Sequence, residues 1–254
     1  MSGSLSIVGL GPGSEAQVTP EATQVLMEAT DIVGYGSYID RLTPQRFVVL
    51  HRSGNGVELE RARGALNLAV DGKKVALVTS GDPGVFAMAA AVFEAIYAQP
   101  KAWASVEIRI LPGITALLAA AARVGAPIGN DFCAINLSDN LKPWALIEKR
   151  LRLAVEADFV IACYNPRSKA RPDGFARVLT LLRQHTDSKR IMAFARAVST
   201  QHEQIKAVLL EDCRPEMADM QTLVLIGNSA TRMIEQNGKR WVYTPRSVGL
   251  RKSQ

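Results

Sequence analysis

Lys73-Lys74-Val75-Ala76-Leu77-Val78-Thr79-Ser80-Gly81-Asp82-Pro83-Gly84-Val85-Phe86 decides how this chain folds. The apolar run at 75–78 is short and uninterrupted, which predicts a buried strand. It breaks on Gly81, Asp82, Pro83 and Gly84, and the alanine-rich segment 85–97 then predicts a helix. Such a step gathers free backbone N–H groups at the carboxyl end of a parallel strand, where open α/β sheets bind ligands. A tight strand-to-helix turn needs the same Gly and Pro for its geometry alone, so the turn by itself leaves both readings open.

Upstream, a strand at 5–10 runs into Gly11-Pro12-Gly13-Ser14, and Thr19 with Pro20 predicts the capped start of a helix reaching Ala29. Glycines at 9, 11 and 13 invite a dinucleotide reading, but Ser14 breaks the G-x-G-x-x-G spacing. No helix opens on the third glycine, and Asp31 precedes the second strand instead of ending it. A nicotinamide site is therefore disfavoured. Gly34-Tyr35-Gly36-Ser37-Tyr38 fits a pocket rim, and 59–70 predicts a helix with Glu58, Glu60, Arg61 and Arg63 outward. Downstream, a strand at 106–111 ends on Pro112-Gly113-Ile114-Thr115-Ala116 and passes into an alanine-rich helix to Val124, a second turn of the same kind.

Gly125-Ala126-Pro127-Ile128-Gly129 reads as a linker. Beyond it, strands are expected at 132–137, 158–162, 190–195, 204–210 and 222–226, with helices at 144–155 and 174–184. The expected architecture is two α/β domains, 1–124 and 125–248, followed by a disordered tail at 249–254.

The composition narrows the partners. The chain has 254 residues, 48% hydrophobic and 21% charged, with a net charge of +6, enough length for a sizeable core. Basic runs never exceed two residues and aromatics are only 6%, so nucleic acid is not the expected partner of the positive charge; a polyanionic small molecule is. Cys133, Cys163 and Cys213 lie far apart without metal-ligand spacing, which predicts reduced thiols, no metal and a cytoplasmic location. No Lys or Arg precedes Arg41, so no signal peptide is expected, and the longest apolar tract, 114–122, is far short of a membrane span. No nucleophile elbow, Walker loop or His-Glu-x-x-His occurs, and His51, His185 and His202 are isolated. What remains is a set of Gly- and Pro-rich strand ends, suited to orienting a cofactor that is already activated.

Gly9-Leu10-Gly11-Pro12-Gly13, Ser80-Gly81-Asp82-Pro83, Leu111-Pro112-Gly113-Ile114-Thr115-Ala116 and Tyr164-Asn165 resemble, in that order, the tetrapyrrole methylases. These are S-adenosylmethionine-dependent enzymes of corrin and sirohaem synthesis. Stretches 81–88, 137–144, 164–172 and 242–246 are similar to a member that methylates ring carbon C17 and contracts the macrocycle. The resemblance implies two α/β domains with the cofactor cleft between them, usually in a homodimer. It implies donor contacts at Pro12, Ser80, Gly81, Asp82, Val85, Thr115, Ala116, Tyr164 and Asn165, with a further one at Ala197. Gly9, Gly11, Gly13, Ser14 and Tyr35 would face a tetrapyrrole bearing several carboxylates, with Arg41, Arg46, Arg52, Arg123, Arg167, Lys169 and Arg171 as candidate cations. Two positions depart from many relatives: Ser14 replaces an Asp, and Asn165 replaces a Met. Methyl transfer from a sulfonium to an electron-rich carbon is an in-line displacement governed by positioning and needs no metal. Ring contraction calls for loss of a hydroxyl proton; His51, Asp82, Asp139, Asn140 or the substrate's own carboxylates remain open as its acceptor.

Overall fold

The computed structural model describes residues 3–43 and 47–247; Arg46 and the 249–254 tail lie outside them. The backbone divides into two compact units after Ala116.

In the first unit, β1 (Ser4–Gly9), β2 (Asp31–Tyr35), β3 (Val49–Ser53), β4 (Lys74–Thr79) and β5 (Glu107–Leu111) form one sheet. Their order is β3-β2-β4-β1-β5 and every pairing is parallel. Parallel neighbours need crossovers. Here they run through α1 (Pro20–Glu28), the one-turn α2 (Gly36–Ile39), α3 (Glu58–Val70) and α4 (Met88–Ala98). Leu5, Ile7 and Leu77 pack with Ala62, Leu66 and Val92 on one face, while Val8, Ala76 and Val78 pack with Ala22 and Ile39 on the other. Burial on both faces is why these strands read as unbroken apolar runs. The expected cap at Thr19 is present, its Oγ1 accepting from Ala22 N at 3.2 Å, with Pro20 opening the helix.

In the first unit three local expectations fail. The helix expected from Val85 opens at Met88, because Phe86 takes a left-handed φ of 53° and Ala87 is extended. β3 was not expected; as an edge strand with Val49 and Arg52 exposed, it lacks a buried apolar run. Arg61 points inward, only 7% exposed, where an outward charge was expected.

The second unit begins at Leu117, the second residue of α5 (Ala116–Val124). Its main sheet takes β7 (Phe132–Asn136), β8 (Val160–Tyr164), β9 (Ile191–Arg196), β10 (Gln204–Leu209) and β11 (Thr222–Ile226) in the order β10-β9-β11-β8-β7. β7 and β8 are parallel, while β11 runs antiparallel to both β8 and β9. β7, β8 and β9 therefore point the same way and end on one edge. Helices α6 (Trp144–Glu156) and α7 (Gly174–His185) cover a face through Ile147, Leu151, Phe175 and Leu182, with Phe175 edge-on to Phe194 at 5.8 Å. A small sheet, β12-β13-β6, completes the unit: β12 (Arg232–Gln236) and β13 (Lys239–Tyr243) form a hairpin, and β13 pairs with β6 (Gly125–Ala126). The 125–129 segment, read as a linker, thus starts with a paired strand of this unit.

Candidate active site

The strand order of the first unit sets β1 between β4 and β5, so the turns after Gly9, Thr79 and Leu111 emerge side by side. They are fastened to one another. Gly11 N donates to Gly81 O at 3.2 Å and Gly81 N to Gly11 O at 2.8 Å. A Cβ on Gly113 would sit 2.2 Å from Gly81 O and 3.0 Å from Gly9 Cα, so only glycine allows this approach. Asp82 closes the group: its Oδ1 accepts from Gly84 N at 2.8 Å and its Oδ2 from Gly113 N at 3.1 Å. A Cβ on Gly81 would lie 3.6 Å from Thr115 Cα and 3.9 Å from Ala116 N. Gly81, Asp82, Thr115 and Ala116, four of the expected donor contacts, are thereby neighbours. Val85 joins them through its N–H to Asp82 O at 3.3 Å, and Pro12 is half-buried in the adjoining loop.

Arg41 is the clamp of this loop. Its Nη2 donates to Leu10 O, Gly11 O and Gly13 O at 2.9, 3.3 and 3.2 Å, and its Nη1 to Ser80 Oγ at 3.4 Å. Burial lowers its pKa from the ordinary arginine value. Ser14 accepts from Ala16 N at 3.3 Å, starting a single 3-10 turn. Tyr35 meets Tyr38 edge-on at 5.2 Å, and burial, then the Tyr35 charge, raises the Tyr38 phenol. Arg52 is engaged by Asp40.

Arg61 is a residue that sequence reasoning missed. It donates to Ser53 Oγ at 2.6 Å, to Gly54 O and to Met88 Sδ, tying the end of β3 to the start of α4, and makes no ion pair among the described residues. Helical periodicity alone could not reveal this, since the side chain reaches back from the first turns of α3 to the sheet edge.

His51 lies elsewhere. Its Nε2 is 2.7 Å from Asp31 Oδ1, at the amino end of β2 and opposite to the turns. Burial pushes the Asp31 carboxyl up, but hydrogen bonds from His51 and Thr30 outweigh it and hold the group below the usual range.

In the second unit the shared edge of β7, β8 and β9 gathers Leu137, Tyr164-Asn165 and Ala197. Tyr164 Oη accepts from Leu117 N, in the first turn of α5, at 3.1 Å. Asn165 has φ 52° and donates through Nδ2 to Asn136 Oδ1 at 3.1 Å. Ala197 has φ 46°, its N–H bound to Gln221 O at 2.9 Å, and Ser199 has φ 64° with a buried hydroxyl that finds no partner among the described residues. Each left-handed non-glycine corner costs ~1–3 kcal/mol, and such strain clusters at ligand clamps. Arg171 Nη1 donates to Leu137 O and Asn165 O, both at 3.2 Å, with its Nε 3.6 Å from Asp139 Oδ1. Arg167 donates to Pro172 O at 3.0 Å, Arg123 pairs with Glu203 at 3.0 Å, and Lys169 and Asn140 are exposed. Among the described residues no three His, Cys, Asp or Glu side chains gather as a metal site, and no helix is long and apolar enough to cross a membrane.

Both sheets thus end on turns built to present backbone atoms. The chain belongs to the tetrapyrrole (corrin/porphyrin) methylases, whose family model matches residues 4–213, and it is a C-methyltransferase. It is 51% identical over 247 residues, 97% of each chain, to precorrin-3B C(17)-methyltransferase of Sinorhizobium sp.. It is 40% identical to a probable cobalt-factor III C(17)-methyltransferase of Salmonella typhimurium, over 97% of this chain and 100% of that one. A crystal structure of the methyltransferase CobJ superposes with a TM-score of 0.92 at 58% identity, covering 96% of this chain and 100% of that one.

Proposed function

We propose that this enzyme methylates precorrin-3B at C17, with coupled ring contraction, in cobalamin biosynthesis. The observation that carries it is 51% identity spanning 97% of both chains with an enzyme named for that reaction. S-adenosylmethionine, the donor in the family this chain resembles, supplies an electrophilic sulfonium methyl. The residues fit such a donor: Gly81 and Thr115-Ala116 adjoin, Asp82 locks their turn, and Asn165 and Ala197 hold corners that free chains avoid. We assign donor contact to Pro12, Ser80, Gly81, Asp82, Val85, Thr115, Ala116, Tyr164, Asn165 and Ala197.

The loop clamped by Arg41 would then face the macrocycle through Gly9–Gly13, Ser14 and Tyr35. Arg41 acts by fixing that loop rather than as an outstretched cation, because its donors are taken by carbonyls. For the ring-contraction proton, His51 is bound to Asp31, Asp82 to two backbone N–H groups and Asp139 to Arg171. An exposed amide such as Asn140 is no base. The substrate's own carboxylates are the acceptors this arrangement favours.

The test is incubation of pure protein with S-adenosylmethionine and precorrin-3B, followed by mass spectrometry; a macrocycle that gains no methyl group refutes the assignment. The 40% identity to an enzyme named for cobalt-factor III supports a second reading, a cobalt-bearing substrate. Competing the two macrocycles in one reaction decides between them by which is consumed first.

A further inference from the structure

A cavity of about 400 Å3 in the second unit adjoins the Tyr164-Asn165 corner, to which its lining residues Leu137 and Arg171 are hydrogen-bonded. It is lined by Leu137, Asp139, Trp144, Arg171, Pro172 and Arg177, among others, between the segment that follows β7 and the one that enters α7. Its size is within the range of small-molecule sites, and Leu137 places it at the carboxyl edge of the sheet.

The charges around it are unevenly committed. Arg171 spends its donors on Leu137 O and Asn165 O and offsets Asp139. Asp173 is exposed to water at the start of α7. Arg177 is different. Its guanidinium lies 4.6 Å over the Trp144 ring and has no hydrogen bond or ion pair among the described residues. The indole holds the fork flat while leaving its N–H donors available. Lys142, next to this wall, donates to Ser138 O at 3.0 Å. Burial, then Arg150 and Arg171, pull its pKa below the ordinary lysine value, with Asp139 opposing them.

We propose that this cavity is a carboxylate-binding subsite in which Arg177, oriented by Trp144, donates to a ligand carboxylate. The inference rests on the proposed function, whose acceptor carries several carboxylate arms and whose donor carries one amino-acid carboxylate. Arg177→Met keeps the contact with the indole and removes the charge; Arg177→Lys keeps the charge and loses the fork. Arg177 is exposed, so both variants keep the wild-type Tm. Loss of one charge-assisted hydrogen bond raises the KM for the tetrapyrrole about tenfold in Arg177→Met, with a smaller rise in Arg177→Lys and little change in kcat. A rise in the dissociation constant for S-adenosylhomocysteine instead assigns the subsite to the donor's carboxylate. Binding of uroporphyrin, followed by its fluorescence, runs alongside and needs no turnover, so it stays informative if precorrin-3B proves not to be the substrate. Unchanged tetrapyrrole KM, uroporphyrin affinity and S-adenosylhomocysteine affinity in Arg177→Met overturn the proposal.

Discussion

Asp82 offers a direct test of whether the proposed donor turn works through side chain or backbone. Its two carboxylate oxygens accept from Gly84 N and Gly113 N, at 2.8 and 3.1 Å. Gly84 is exposed, so water replaces that bond in Asp82→Ala; Gly113 is half-buried and loses a charged acceptor. The cost is about 1.5–3 kcal/mol for the second bond and little for the first. At about 2–4 °C of Tm per kcal/mol for a chain of this size, Asp82→Ala melts about 3–12 °C below wild type. Asp82→Asn keeps one acceptor and presents an NH2 to the other N–H, so it loses roughly half as much. Because the turn that Asp82 holds carries Gly81 against Thr115 and Ala116, affinity for S-adenosylhomocysteine falls in step with Tm, about tenfold to hundredfold for alanine. Scanning calorimetry and isothermal titration on the three proteins measure both quantities. A normal Tm with abolished binding in Asp82→Ala would mean that the carboxylate touches the ligand itself, and the backbone account would be wrong. A lowered Tm with unchanged binding would separate the turn from the site altogether.

Gly113→Ala places a Cβ 2.2 Å from Gly81 O, a backbone overlap that only separation of the β4 and β5 turns relieves. We expect a loss of about 1–3 kcal/mol by denaturant unfolding together with weaker S-adenosylhomocysteine binding; wild-type values for both would contradict the close approach. Asp31, Asp158 and Asp219 are each desolvated, yet hydrogen bonds hold their carboxyls below the usual range. Folded pKa values below unfolded ones give stability that is full above about pH 4 and is lost as pH falls through the folded values, so urea midpoints should drop steeply there. Asp158→Asn should flatten that drop, and an unaltered slope would remove Asp158 from the account. Among the thiols, Cys163 is fully buried with its pKa pushed far up, and burial pushes Cys213 up to about 11. An aromatic disulfide reagent at pH 8 should therefore label half-buried Cys133 first in the native protein; rapid labelling of all three would mean the second core opens readily.

The parts of the fold that could be read in the sequence are those that local physics over-determines. Val75-Ala76-Leu77-Val78 is buried on both faces, so its apolar run survives as a strand signal, and Thr19-Pro20 fixes the start of a helix without help from distant residues. The hairpin of β12 and β13 is marked by Asn237-Gly238, both with positive φ, between segments of strand. Strand β3 carries a short apolar run, Phe47-Val48-Val49-Leu50, but the strand continues through His51-Arg52-Ser53 and its extent is set by pairing with β2. The antiparallel placement of β11 between β8 and β9 is likewise a decision of the sheet, because short connections on either side allow several orders.

The site divides along the same line. Gly and Pro announce the turns because those residues solve a backbone problem, so Gly81, Gly113 and Thr115-Ala116 were legible as neighbours in kind before their contacts were known. Side-chain direction was not legible. Arg41, expected as a cation for substrate, turns back to grip Leu10 O, Gly11 O and Gly13 O, and Arg171 does the same to Leu137 O and Asn165 O. Each unit thus solves the same problem with the same tool. A loop at the carboxyl end of a sheet exposes carbonyls that ordinary pairing cannot satisfy, and a planar fork of donors takes several at once. Lysine offers no such fork, so Arg41→Lys and Arg171→Lys would leave carbonyls unmatched while preserving charge. On this reading the guanidinium in each place would act on a ligand through the shape of the loop, whereas Arg177, stacked on Trp144 and gripping no carbonyl among the described residues, is the group proposed above to take a carboxylate directly.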